Sequence, residues 1–314
     1  MLAALMISGI VLADGAGVET SYRGKSARQW ADELAAPDLR ARWHAAYALG
    51  QMGKSGSVAV AALEKTLENR AEHEYVRGAA AWALGRMGPK AASAVPALTR
   101  ALASALVSVR RNAAGALGSM GPAAGPSVPG LVKLLADEDA SVRISAAVAL
   151  WKIERHPQAL PALESMLRDR EVGSACRAAA ALGELGADAA PAVPALAAAL
   201  SHSDEDARRA AARSLGQVGP AAIPAIRAVL AGGDEGAKRQ AVEALGWIGP
   251  PALPTLIKAL ADSRAPVRRA AARALGRLGP AARQAEPALL RAVSDPEPEV
   301  RDAAAEALRH VRTP

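Results

Sequence analysis

Apolar residues recur along this chain on two scales. Over short stretches they keep the period of a helix with one buried face. Val267, Ala271, Ala274, Leu275 and Leu278 mark one such stripe, spaced at about 3.6 residues. Gly279-Pro280 then stops it: glycine favours a left-handed C-cap, and proline has no donor to continue the ladder. A second kind of stripe is Leu253, Leu256, Ile257 and Leu260. Helices of this kind open at a proline in most cases: Pro96, Pro129, Pro161, Pro194, Pro224, Pro254 and Pro287. A first-turn proline gives up an N–H that would be orphaned anyway. Polar residues precede the next stripe of the first kind, at Asp38, Asp139, Glu171, Asp204, Asp234 and Glu297, where negative charge suits the positive helix end.

On the longer scale the first stripe returns nine times, around Leu49, Leu84, Leu117, Leu150, Leu182, Leu215, Leu245, Leu275 and Leu308. The spacings are 35, 33, 33, 32, 33, 30, 30 and 33 residues. A fixed period in this range predicts a stacked repeat array rather than one core. No segment alternates with period two, so essentially no strand is expected. The predicted fold is all-α, an α-solenoid (a superhelix) of stacked antiparallel helix pairs. Residues 37–296 hold eight repeats, 26–36 an N-terminal capping helix opened by the capping box Ser26 to Gln29, and 297–314 a C-terminal capping helix.

The units resemble HEAT repeats, most closely the short bacterial type seen in phycobilin-lyase subunits. The residues that carry the resemblance are Val109-Arg110, Ala113-Ala114, Leu117-Gly118, Gly121-Pro122, Pro129, Leu131, Leu134-Leu135 and Asp137, with their counterparts in other units. Tyr22 to Trp30 resembles the lead-in to such repeats in exported bacterial proteins. The array departs from its pattern in two places. Ala175 stands where a cation belongs, with Arg177 two residues on, which suggests a slip of helix phase. Trp151 replaces a glycine, and His156-Pro157 its turn.

Two basic series follow. Arg42, Arg77, Arg110, Arg143, Arg208, Lys238, Arg268 and Arg301 each stand seven residues before the repeat leucine. The resemblance implies a structural ladder that bridges to acidic groups or carbonyls of the neighbouring unit. Arg100, Lys133, Arg227, Lys258 and Arg291 lie just past the prolines, interrupted by Glu164 and Ala197. In HEAT arrays the second helices line the concave face, so these five are the candidate binding residues, suited to an acidic segment of a protein partner.

Composition adjusts this picture little. Apolar residues are 51%, but aromatics only 3% with no phenylalanine, so the helices must pack closely across small side chains. Trp43, Trp82, Trp151 and Trp247 are expected to pack in the core or between units. Net charge is +7, and scarce aromatics argue against a nucleic-acid groove. Cys176 is the single cysteine, so no intramolecular disulfide or thiolate cluster forms. The short apolar run of residues 1–13 reads as a signal peptide lacking its basic start, followed by a linker over 14–25. That implies export to a periplasm or envelope, with a cytoplasmic location the alternative, and the run is too short to span a bilayer.

Signs of catalysis are few. His73-Glu74 is the one His-Glu pair, whereas the HEAT-fold deoxyhypusine hydroxylases need four to hold two irons. Gly24-Lys25-Ser26 lacks the glycine of a phosphate loop, with Glu19 in its place. No catalytic residue, metal or cofactor is expected. The predicted function is a non-enzymatic scaffold for protein interaction through its concave face. A phycobilin-lyase-like chromophore-attachment subunit and a nucleic-acid-binding HEAT-like protein are the alternatives.

Overall fold

A computed structural model describes residues 10–11, 21–169 and 171–313. The proposed signal-peptide cleavage point falls outside the described residues. The chain opens with three two-residue strands: β1 (Ile10–Val11), β2 (Ser21–Tyr22) and β3 (Lys25–Ser26), ordered β1-β2-β3 and antiparallel. Arg23 and Gly24 join β2 to β3 with φ of 50° and 79°, the paired positive angles of a tight hairpin turn. Beyond these three two-residue strands no strand occurs among the described residues, in keeping with the expectation of essentially none. Gly24-Lys25-Ser26 is this hairpin, and Ser26 then caps α1 (Ala27–Glu33) through the capping box with Gln29. Trp30 donates to the Tyr22 carbonyl at 3.0 Å, tying α1 to the hairpin.

Long and short helices then alternate: α2 (Leu39–Met52), α3 (Val60–Glu68), α4 (Glu74–Met87), α5 (Val95–Ala101), α6 (Val107–Met120), α7 (Val128–Leu134), α8 (Ala140–Glu154) and α9 (Ala159–Met166). There follow α10 (Val172–Glu184), α11 (Val193–Ala199), α12 (Glu205–Val218), α13 (Ile223–Gly232), α14 (Glu235–Ile248), α15 (Leu253–Ala259), α16 (Ala265–Leu278), α17 (Glu286–Ala292) and α18 (Pro298–Arg312). This is an all-α solenoid of stacked helix pairs, divided into two units, residues 1–162 and 163–314.

Local chemistry sets each boundary. Asp38, Asp139, Asp204 and Asp234 accept first-turn amides, while Glu171 and Glu297 hold the same position without a side-chain bond. His73 caps α4 by accepting from the Tyr75 amide. Most long helices end at a glycine with positive φ, such as Gly121 at 65°, and a 3-10 turn leads into the short helix. The α8 end differs. Arg155 takes the left-handed conformation itself, φ 54°, and its guanidinium lies over Trp151.

Eight of the nine repeat leucines are 0% exposed and Leu308 is 7%, so the stripe is the core. The glycine after the leucine lets the long helices touch. A Cβ on Gly85 would stand 2.8 Å from the Ala116 Cα, and one on Gly118 2.8 Å from the Ala149 Cα, closer than carbon atoms pack. In α10 the buried set Ser174, Ala175, Ala178, Ala179 and Leu182 keeps the register seen around Leu117 in α6. The helix phase does not slip at Ala175. A small residue replaces the cation, and Arg177 instead pairs with Glu171 at the surface.

Candidate functional site

The ladder arginines occupy the loop edge of each unit. Arg110 is 8% exposed. Its Nε and Nη2 donate to the two Asp137 oxygens at 2.7 and 2.9 Å, and its Nη1 donates to the Ser104 and Ala105 carbonyls. Arg268 repeats this with Asp295 and with the Asp262 and Ser263 carbonyls. Arg42 does so with Glu72 and with the Ala36 and Pro37 carbonyls. Lys238 reaches Asp262 at 3.4 Å. Arg143, Arg208 and Arg301 each hold two carbonyls five and six residues earlier. The rungs interlock, because Asp295 takes Arg268 on its carboxylate and Arg301 on its carbonyl.

Burial alone would raise the Asp137 carboxyl, but the hydrogen bonds from Arg110 and the Asp139 amide outweigh it and hold it below its usual range. Glu72 is lowered against burial in the same way, by Arg42 and the His73 amide. Asp295 is lowered chiefly by its hydrogen bond from Arg268. These groups are engaged with the chain itself.

The second basic series lies on the short helices. Arg100, Lys133, Arg227, Lys258 and Arg291 are all exposed on the short helices. Arg100 pairs with Glu68, and Arg227 donates to Thr255 at 3.0 Å. Clefts separate neighbouring short helices: about 730 Å³ between α3 and α5, and about 620 Å³ between α13 and α15. The long helices meanwhile abut, as Gly85 on Ala116 in the first unit and Gly276 on Ala307 in the second. The five cations sit on the short-helix layer of each unit.

The face the long helices turn away from the core carries a different set. In the first unit, Trp43 stacks on Tyr47 at 5.5 Å and 16°, and Tyr47 stacks on Trp82 at 5.3 Å and 8°. Trp43 is 36% exposed, Tyr47 37% and Tyr75 62%. Beyond Trp82 a cleft of about 360 Å³ is lined by Arg86, Arg111, Asn112, Ser119 and Ser145. Arg86 and Arg111 are exposed; Arg111 donates to the Asn112 side-chain oxygen and helps to lower the Asp139 carboxyl. In the second unit this face is rich in paired charge, with Arg209 on Glu205, Arg269 on Glu299 and Arg277 on Glu243. There Trp247 is 61% exposed with Arg213 over its ring. Packing in the core or between units was expected for these tryptophans. Trp82 lies where a Gly50 Cβ would be, and Trp247 Cβ where a Gly216 Cβ would be, though the Trp247 ring stays exposed; Trp43 is 36% exposed and stacks on Tyr47. Cys176 is half-buried, and its thiol is pushed up by burial, then by Asp204 and Asp206.

The HEAT-repeat family model matches residues 27–117, 95–183, 128–198, 174–245, 193–276 and 253–314. The chain belongs to the HEAT-repeat family. Five of these six stretches open at a seven-residue helix, so the HEAT unit here is a short helix followed by a long one. Solved structures that resemble the array include two of Kap95 complexes. One, titled as Kap95p inducing the switch loops of RanGDP to adopt the GTP-bound conformation, has a TM-score of 0.57 at 15% identity and covers 99% of this chain and 49% of that one. The other, a Kap95:Nup1 complex, has a TM-score of 0.55 at 16% identity and covers 91% and 44%. The chain spans less than half the length of these structures, and at such identity the likeness is one of fold. Neither the family match nor these structures carries the finer kinship with phycobilin-lyase repeats. No curated protein matches the chain.

Proposed function

We propose that this HEAT array is a non-enzymatic scaffold that holds segments of partner proteins on the outward face of its long helices. One observation carries this. The chain has eight aromatic residues, five Trp and three Tyr. Four of them, Trp43, Tyr47, Tyr75 and Trp82, lie on α2 and α4, and three are at least 36% exposed. All four stand two, six or nine residues before the repeat leucine, which places them opposite the core stripe. Trp, Tyr and Arg dominate the energetics of protein interfaces. A chain this poor in aromatics has no packing reason to stack them in water.

Arg86 and Arg111 continue this surface with exposed positive charge, which suits a segment with acidic residues beside an apolar anchor. The two similar structures, of Kap95p with RanGDP and of Kap95 with Nup1, support partner binding by this fold. The test is capture from an extract of the source cells, quantified by mass spectrometry, for the wild type and for a Trp43→Ala, Tyr47→Ala variant of unchanged helicity. Proteins lost from the variant support the proposal. An identical captured set overturns it.

A further inference from the structure

The ladder is incomplete in an informative way. Its acid stands about two residues before the cap of the next long helix, as at Asp137, Asp262 and Asp295. Acid and cation can vanish together. Where Ala175 removes the cation, His202 replaces the acid and contacts the Asp169 carbonyl instead. At Arg77 only the acid is gone. The matching position is Ser104, whose hydroxyl accepts from the Leu106 amide, and Leu106 stands where other units place a capping Asp. The loop backbone is held as elsewhere, with Arg110 on the Ser104 and Ala105 carbonyls. What is missing is a carboxylate.

Arg77 responds by turning. Its Nε donates to the Leu67 carbonyl at 3.0 Å, and neither terminal nitrogen has a partner among the described residues. The guanidinium lines the α3–α5 cleft of about 730 Å³ with Arg70, Arg100 and Ser104. The acid that lines the cleft, Glu68, is committed to Arg100, and Glu72 is committed to Arg42. Arg208 also lacks an acid, with Gly232 in its place, and its Nε is buried without a partner. Arg77 differs in opening onto a cleft that a chain segment can enter.

We propose that Arg77 docks a carboxylate from outside the chain, the Asp or Glu side chain of a partner segment laid into the α3–α5 cleft. Four rungs of the same ladder set the chemistry, each pairing its cation with a carboxylate, and bidentate Arg–carboxylate geometry is what the free edge of Arg77 offers. Three arginines against one committed glutamate leave the cleft positive. The proposal rests on reading the chain as a protein-binding array but uses a different surface.

The probe is a fluorescently labelled, C-terminally amidated hexaglutamate, followed by anisotropy at low ionic strength. The wild type should bind it, and Arg77→Gln should weaken binding about tenfold. Ser104→Asp is the decisive variant. It supplies the missing carboxylate from within, so it should abolish peptide binding and raise the melting temperature. This arm stands even if Arg77→Gln folds poorly. Unchanged binding by Ser104→Asp, or none by the wild type, overturns the proposal. Displacement by inorganic phosphate at lower concentration than by acetate overturns the carboxylate assignment. The Trp43→Ala, Tyr47→Ala variant should bind hexaglutamate as the wild type does, so the two proposals fail separately.

Discussion

Replacing Arg110 by alanine removes the most completely bonded rung of the ladder. Both partners are buried, with side-chain exposures of 9% for Arg110 and 7% for Asp137. Two charge-assisted bonds to the carboxylate are lost, at 2.7 and 2.9 Å, each worth about 1.5 kcal/mol or more. Two carbonyls lose their donor. Asp137 keeps only the Asp139 amide, so a buried negative charge is left nearly alone. Breaking a buried pair by deleting one member costs about 3–5 kcal/mol, and the site lies at a loop edge where water can partly recover it. The expected loss is therefore about 3–4 kcal/mol. Arg143→Ala is the matched control. Among the described residues Arg143 bonds only two carbonyls, so about 1–2 kcal/mol is expected. Urea unfolding followed by tryptophan fluorescence reads the first unit, which holds Trp30, Trp43, Trp82 and Trp151 of the five tryptophans. Repeat arrays need not unfold in one step, so the first-unit transition is fitted by itself. A loss below about 1 kcal/mol, or one no larger than that of Arg143→Ala, refutes a ladder role for the pair.

Acid should weaken the fold, because Glu72, Asp137, Asp139 and Asp295 are all held below their usual range. A lowered folded-state value stabilises above the unfolded carboxylate range of roughly 4 and is lost as pH falls below it. The urea midpoint should therefore be flat from pH 8 to about 6 and drop at pH 3. Gly118→Val forces a side chain against the Ala149 backbone and should cost about 2 kcal/mol or more, visible in the same unfolding curve. Trp247→Ala removes a 61% exposed ring and should leave the melting temperature within about 2 °C of the wild type. We propose that residues 1–13 are an export signal, and N-terminal sequencing of the native protein should then begin at Asp14. A start at Met1 contradicts that.

Much of this was readable from spacing alone, where the physics is local. A leucine every thirty-odd residues, a Gly-Pro stop and an Asp before each long helix fix element type and order, and the buried leucines follow. The loop hairpin at Ser21–Ser26 was not readable, since its signal is two turn residues with positive φ. How closely neighbouring long helices approach was not readable either. That lies in Gly85 meeting Ala116 and Gly118 meeting Ala149, residues 31 positions apart in each case. The aromatic stack joins positions on two different helices, so Trp43 and Trp82 look like ordinary core candidates until Tyr47 is seen between them. The vacancy at Arg77 needed the partner of each rung, and that emerged only from the Arg110–Asp137 and Arg268–Asp295 geometry.

Site-specific photo-crosslinking in the source cells tests the central claim most directly. A benzophenone amino acid at Tyr75 probes the long-helix face, and one at Arg291 probes the exposed short-helix layer. Partner-protein adducts should form from Tyr75, be lost with Trp43→Ala, Tyr47→Ala, and be absent from Arg291. Adducts equal at both positions, or indifferent to loss of the aromatic pair, contradict the proposal that this face is where the array holds its partners.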